Sequence, residues 1–442
     1  PFGSAASAAC VRALSSPGSN DLETGLDIFV SAMALRNSLL VAPLFVSFHT
    51  IGAFNSELPD PELDAFHAYM SEHGRNYQHG SVEYQKRLAL FSRRAAEVKA
   101  HNSRPDRLWS AGINHLSDRT EEELAQLRGW RGMASSGRAA LAQRSGSTFL
   151  NQRGRGHTTS ALPQEFMNWT SLKSAKHIVD QGGCGSCWAV SSVSVLEQHH
   201  EIHNPKSRRT FSAQELVSCV PNPHECGGTG GCEGATIELA FNWALTMGLA
   251  EEGETPYTAT NSKCKKQSML QLEGRHVDLS VEDLTKPGVH LAQTNAPGLS
   301  FGMSGWERLP ENEYAPLLRA VYERGPVGVS VAAKAWAMYW TGVFNSCSKD
   351  SVIDHAVVLV GYGKDEKLGK GFYLIRNSWG PAWGEHGHIR LLRREDDSEQ
   401  CGVDRKPEVG TACKGGPKVV KVCGMCGVLY DSAVPHFNKL SA

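Results

Sequence analysis

The sequence predicts an α+β fold, and three observations carry that reading. Glu83, Arg87, Phe91, Arg94, Val98 and Asn102 are spaced by four, four, three, four and four, so all six lie on one helical face. The stretch Gln181-Gly-Gly-Cys-Gly-Ser-Cys187-Trp188 and the run after it read as a loop entering a helix, with Cys187 in the first turn. Finally, Val327–Ala333, Ala356–Gly363, Phe372–Arg376 and His388–Leu392 are β-branched and apolar runs that read as strands. A chain of 442 residues exceeds one ordinary domain, so two or three globular units are expected.

Taken in order, the chain opens with Pro1 and carries little pattern before Met33, which is expected to be the true start. Residues 1–32, with Cys10, are then not part of the folded protein. Residues 33–56 combine a short basic region with an apolar run from Leu39 to Phe48, too short to span a bilayer comfortably and suited to a cleaved signal peptide. Residues 57–128 form a helical module. Residues 129–161 are rich in Gly, Ser, Ala and Arg and read as an exposed linker, cut in or near Ala161-Leu162-Pro163. The sequon Asn168-Trp169-Thr170 makes Asn168 a glycosylation candidate.

Farther on, Ser212-Ala-Gln-Glu215 has the form of a capping box opening a short helix. Residues 265–303 form a long connection of mixed polarity, read as a surface excursion in which His290 is the one plausible chemical residue. The 45 basic and 46 acidic residues give no electrostatic case for a nucleic-acid partner. Twelve cysteines, many clustered with Gly in the second half, point to an oxidising compartment.

The spacing Cys184-Gly-Ser-Cys187-Trp188 resembles the local signature of the papain/cathepsin family of cysteine peptidases. The resemblance covers roughly residues 60 to 406. The periodic helix, followed by Gly112-Ile-Asn114-His-Leu116-Ser-Asp118, is similar to the inhibitory prosegment of cathepsin L-like enzymes, with Arg94, Val98 and Leu116 replacing an Asn, an Ile and a Phe. Gly231-Cys232-Glu-Gly-Ala235 resembles the turn beside the substrate cleft, Ala235 standing where a Gly is usual. Asp354-His355-Ala356 and Arg376-Asn377-Ser378-Trp379 resemble the motifs that carry the other catalytic groups. His355 and Asn377 follow Cys187 by more than the roughly 130 to 150 residues usual in the family; the excess is traced to the connection 265–303.

The resemblance implies a papain-like, two-lobed peptidase domain over 162–406: a helical lobe with the nucleophile helix and a β-barrel-like lobe. A Cys-rich extension, 407–442, would follow it. Cys187 would be the nucleophile, held as a thiolate by His355 and a helix N-terminus. Asn377 would orient His355, Trp379 would shield that hydrogen bond, and Gln181 would help bind the oxyanion. Gly185, Ala235, Thr236, Ile237, Ser330 and Ile353 would bind substrate, with Lys406 closing the floor of the pocket for the second residue before the cut. Disulfides Cys184–Cys232, Cys219–Cys264 and Cys347–Cys401 are implied. Cys226, Cys413, Cys423 and Cys426 are left to form two more, one joining Cys226 to a tail cysteine, with a zinc site as the alternative use of those thiols.

The expected protein is a monomeric cysteine endopeptidase made as a zymogen. It needs no cofactor or metal and has no membrane insertion after signal cleavage. Its partners would be peptide or protein substrates, its own prodomain and cystatin-like inhibitors. Its route is the secretory pathway, then a lysosome or vacuole or the exterior. A catalytically inactive homologue acting as a binding or inhibitory protein is the alternative, and retention of Gln181, Cys187, His355 and Asn377 together weighs against it. No His-Glu-x-x-His pattern supports a metal-dependent hydrolase.

Overall fold

The computed structural model describes residues 61–129, 162–163, 166–265, 279–394 and 400–440. Residues 1–32, the expected signal stretch 33–56, nearly all of the linker and Ala161 lie outside the described residues.

The described residues begin with two helices, α1 (Pro61–Glu72) and α2 (Val82–Asn102). Ser81 starts α2 by accepting a hydrogen bond from the Tyr84 amide at 3.1 Å, which satisfies one of the free donors of the first turn. Phe66, Tyr69, Tyr84 and Phe91 make a small aromatic core between the two helices, with the Phe66 and Phe91 rings 5.4 Å apart. The face marked by the sequence periodicity then turns toward the following loop. Arg87 bridges Glu83 at 2.6 Å and Glu123 at 2.9 Å, and Asn102 exchanges two bonds with the backbone of Ala111.

Arg94, the departure from the prosegment motif, is buried and donates to the Leu116 carbonyl at 2.9 Å. A long guanidinium thus reaches the loop directly. Asp118 is held by Arg75 at 2.8 Å and by Tyr77 at 2.7 Å. The short strand β1 (Trp109–Ala111) then pairs antiparallel with β6 (Tyr339–Phe344), which ties the module to the sheet of the main body. Helix α3 (Glu121–Gln126) opens with a complete capping box between Thr120 and Glu123 and delivers the chain to the cleft.

The main body has two lobes. The first is built on α4 (Cys187–His203), α5 (Ala213–Cys219) and α6 (Ile237–Met247), around a core that includes Trp188, Phe241 and Trp243. The second is a mostly antiparallel sheet. Its order is β1-β6-β9-β8-β7-β5-β12-β4-β3, with β2 (Phe166–Asn168) also on β7. Here β3 is Gly288–Leu291, β4 Met303–Arg308, β5 Val327–Val331, β7 His355–Asp365, β8 Lys370–Arg376, β9 His388–Arg393 and β12 Asp431–Phe437. β10 (Gly402–Asp404) and β11 (Val420–Val422) form a separate ribbon. Burial on both sides explains why β5 and most of β7 read as continuous apolar runs.

Three expectations change. The connection 265–303 supplies a helical turn (Val281–Thr285) and the edge strand β3, and His290 stacks on Trp306 with ring centres 4.0 Å apart. The segment from 407 onward is no appendix, since β12 lies between β5 and β4 in the middle of the sheet. The third concerns the disulfides. Cys184–Cys232 and Cys219–Cys264 are bridged, and Cys226 joins Cys413. Cys347, however, pairs with Cys426, and Cys401 with Cys423. The tripeptide Cys-Gly-Val occurs twice, at 401–403 and at 426–428. Only the second copy leads directly into β12 beside β5, and that copy meets Cys347.

Candidate active site

Cys187 is the first residue of α4, buried and free of any disulfide. Gly185 precedes it so closely against the Cys232 carbonyl that an added Cβ would lie 2.5 Å from that oxygen. Helix α4 packs on β7, and Ser191 donates to the Ala356 carbonyl at 2.9 Å. This contact sets the helix that begins with Cys187 against the strand that begins with His355. Because β7 and β8 run antiparallel, the start of one and the end of the other fall together, and His355 meets Asn377 just beyond β8.

The His355 Nε2 to Asn377 Oδ1 distance is 2.7 Å, and the Ser378 amide donates to the same oxygen at 2.8 Å. Asn377 Oδ1 therefore accepts, Nε2 carries the proton, and Nδ1 is left as the basic nitrogen with no protein partner. Trp379 covers the pair with its ring 5.1 Å from that of His355, and Trp336 stands edge-on at 6.2 Å.

Gln181 is fully buried. Its Oε1 accepts from the Ser378 hydroxyl at 2.5 Å, and its Nε2 donates to the Cys184 and Leu127 carbonyls, each at 2.9 Å. Leu127 belongs to the N-terminal module, as do the next two residues, which fill the cleft. The Arg128 Nε donates to Asp354 at 2.8 Å, and both side chains are at least nine-tenths buried. Gly129 lies against Gly185 and the thiol, where an added Cβ would be 3.4 Å from Cys187 Sγ.

This cover sets the electrostatics. Burial pushes the Cys187 thiol up to about 12, against bonds from the Ala356 and Trp188 amides. Burial also drives His355 down to about 4, opposed by the Asn377 bond and reinforced by the Arg128 guanidinium. In the covered state burial thus disfavours the charged thiolate–imidazolium pair expected for a working nucleophile. The motif alone gives no sign of this, because the cause is a segment far away in sequence.

The cavity around Cys187 and His355 is lined by Ala235, Thr236 and Ser330 as well. Ile237 and Ile353 are buried nearby but do not line it. Lys406 is exposed and does not close the pocket. Asp431 lies below Ser330 instead, accepting from its hydroxyl at 2.6 Å. Both residues stand the same distance after a Cys-Gly-Val tripeptide, and neither lines the cavity. Asn168 is exposed, and its side chain accepts from the Thr170 amide at 3.1 Å. Arg128, Gly129 and the segment Val409–Thr411, all on the cavity wall, were not found from the sequence.

Residues 162–411, more than half of the chain, match the model of the papain family cysteine proteases, and residues 66–124 match the cathepsin propeptide inhibitor domain. The Oryzain beta chain of Oryza sativa subsp. japonica is 31% identical over 346 residues, covering 77% of this chain and 64% of its own length. Cathepsin L1 of Drosophila melanogaster is 28% identical over 353 residues, covering 78% of this chain and 84% of its own. The solved structure of digestive procathepsin L 3 from Tenebrio molitor larval midgut superposes with a TM-score of 0.59 at 22% identity, over 85% of this chain and 99% of that one. That likeness speaks for the fold.

Proposed function

Since the chain belongs to the papain family of cysteine proteases and carries a cathepsin propeptide inhibitor domain, we propose that it is a zymogen whose mature form hydrolyses internal peptide bonds through Cys187, His355 and Asn377. The observation that carries this reading is the convergence of a free thiol at a helix start, a His–Asn pair and the Gln181 amide on one cleft, with the prosegment lying across it.

Once the cover leaves, water reaches the pair and the burial that disfavours its charged form is relieved. The proton moves from Cys187 to the Nδ1 of His355, aided by the unpaired N–H groups at the start of α4. The thiolate attacks the substrate carbonyl carbon, and Gln181 Nε2 with the Cys187 backbone N–H receive the developing oxyanion. His355 returns its proton to the departing amine, leaving a thioester. His355 then takes a proton from water, whose oxygen attacks the thioester carbonyl, breaking the C–S bond and releasing the acid, with Cys187 left as a thiolate beside the protonated His355. Asn377 keeps the ring in the orientation both steps need.

Thr236, Ser330 and Ala235 receive the side chain of the second residue before the cut. The secretory pathway, then a lysosome, a vacuole or the exterior, is the compartment that suits five disulfides. Among the described residues no helix is long and apolar enough to cross a membrane. The test is labelling of Cys187 by an epoxide or vinyl-sulfone probe after processing, together with hydrolysis of end-blocked peptides. Cys187→Ala should lose both, and a variant that still turned over within tenfold of the native enzyme would refute the proposal.

A further inference from the structure

The C-terminal segment supplies a wall of the cleft that neither the catalytic groups nor the prosegment accounts for. Val409, Gly410 and Thr411 face the same cavity as Cys187, His355, Thr236 and Ser330. The segment is tied to both sides. On the helical lobe, Cys413 is bonded to Cys226, and the Gly227 amide donates to the Ala412 carbonyl at 3.2 Å. On the sheet lobe, the Thr411 amide donates to the Ile353 carbonyl at 3.0 Å. Gly410 approaches Ile353 so closely that an added Cβ would lie 2.1 Å from its carbonyl oxygen, which leaves room for glycine alone.

Behind this wall lies a second cavity of about 250 Å3, and Thr236 and Thr411 line both. They form the partition. The space beyond is lined by Glu238, Arg308 and Asp431, with Arg308 held by Asp431 at 3.0 Å and Glu238 at 3.6 Å. A long apolar side chain gains nothing by pushing through to those charges.

We propose that the strap Val409–Ala412 is a specificity-determining wall that shortens the pocket for the second residue before the cut, so that the mature enzyme favours peptides with Ala or Val there over those with Leu or Phe. The inference rests on the peptidase reading and on the assignment of Thr236 and Ser330 to that pocket. A wall that rejects extra methylenes typically discriminates by about 10- to 200-fold.

The experiment uses the matured full chain and a fluorogenic peptide series that differs only at that position. The native enzyme should show kcat/KM for Val at least about tenfold above Phe. Thr411→Gly, and separately the pair Cys226→Ser with Cys413→Ser, should raise the Phe/Val ratio at least about fivefold, mainly through KM. A native preference for Phe or Leu, or an unmoved ratio in variants that still bind the thiol probe, would overturn the inference. If both variants fail to fold, the native profile decides it alone. A protein that cleaves none of the peptides and resists the probe would overturn the peptidase reading and this inference with it, whereas cleavage without the expected preference would overturn only the latter.

Discussion

Two stretches of chain fill one cleft by different means. Leu127–Gly129 arrives from the N-terminal module and is held by an ion pair, a carbonyl on Gln181 and close backbone packing. Val409–Ala412 arrives from the C-terminal side and is held by a disulfide and two backbone hydrogen bonds. The first set of contacts can be undone by cutting the chain or by protons. The second survives both. A removable cover is made from interactions that water and acid weaken, and a permanent wall from covalent and backbone ones.

The most severe way to sharpen this contrast is Cys187→Ala, which removes the chemistry and leaves both stretches in place. Turnover should fall by at least about a thousandfold, while the protein keeps its melting temperature and its uncut prosegment. A Cys187→Ala protein that still processed itself would show that the cover is cleared by other means.

Arg128→Ala attacks the cover alone. Removing one partner of a buried ion pair leaves Asp354 uncompensated, at a cost on the order of 3–5 kcal/mol. The prosegment, supplied in trans or released by a single cut, should then inhibit the mature enzyme about a hundredfold or more less tightly. Unchanged inhibition would place the hold elsewhere, in Leu127 or the backbone around Gly129.

Asn377→Ala leaves both stretches untouched and loosens only His355. A drop in kcat of about ten- to a hundredfold, with KM nearly constant, is expected if Asn377 acts by orientation. A pure KM effect would contradict that role.

The mildest test concerns protons. Burial would raise the Glu123 carboxyl, but bonds from Arg87 and the Thr120 amide outweigh it and hold it at about 2, below the ordinary value of 4.5. Asp118 is likewise held low: burial opposes, while Tyr77 and Arg75 prevail. Carboxyls depressed in the folded state contribute stability that is present above the unfolded value. That contribution is lost as pH falls from about 4.5 toward 2. Hydrogen exchange of the α2 amides in a Cys187→Ala zymogen should speed up across that window, and Glu123→Gln should flatten the response. The strap, with no such group in its ties, should show no matching change.

What could be read beforehand follows the same division. Cys187, Gln181, His355 and Asn377 could be singled out because each sits in a short motif at a helix start or a strand end, and the fold brings them to one cleft; their catalytic use is the proposal made above. Helix α2 was legible from periodicity, its nature as a prosegment only with the Gly112–Asp118 motif that follows, and Arg94 proved to reach that loop at the Leu116 carbonyl. The disulfide partners of Cys347 and Cys401 were misread, because local sequence cannot rank two Cys-Gly-Val copies. Only the pairing of β12 with β5 does so. Arg128 on Asp354 and Thr411 on Ile353 are contacts between distant segments, and no local pattern announces them. The burial that works against the charged thiol–imidazole pair was hidden for the same reason, since it is a property of the assembled cleft.

The place of β12 bears on how the protein is made. Because β12 lies between β5 and β4, two strands that leave the ribosome well before it, the sheet remains split until residue 437 is free. The local helical pair of the N-terminal module, with its own aromatic core, has no such wait. During synthesis the helical pair can thus close its own core before the sheet is complete, while β1, Leu116 and Leu124 find their partners only once the main body has formed, so the guard is finished together with the protease it restrains.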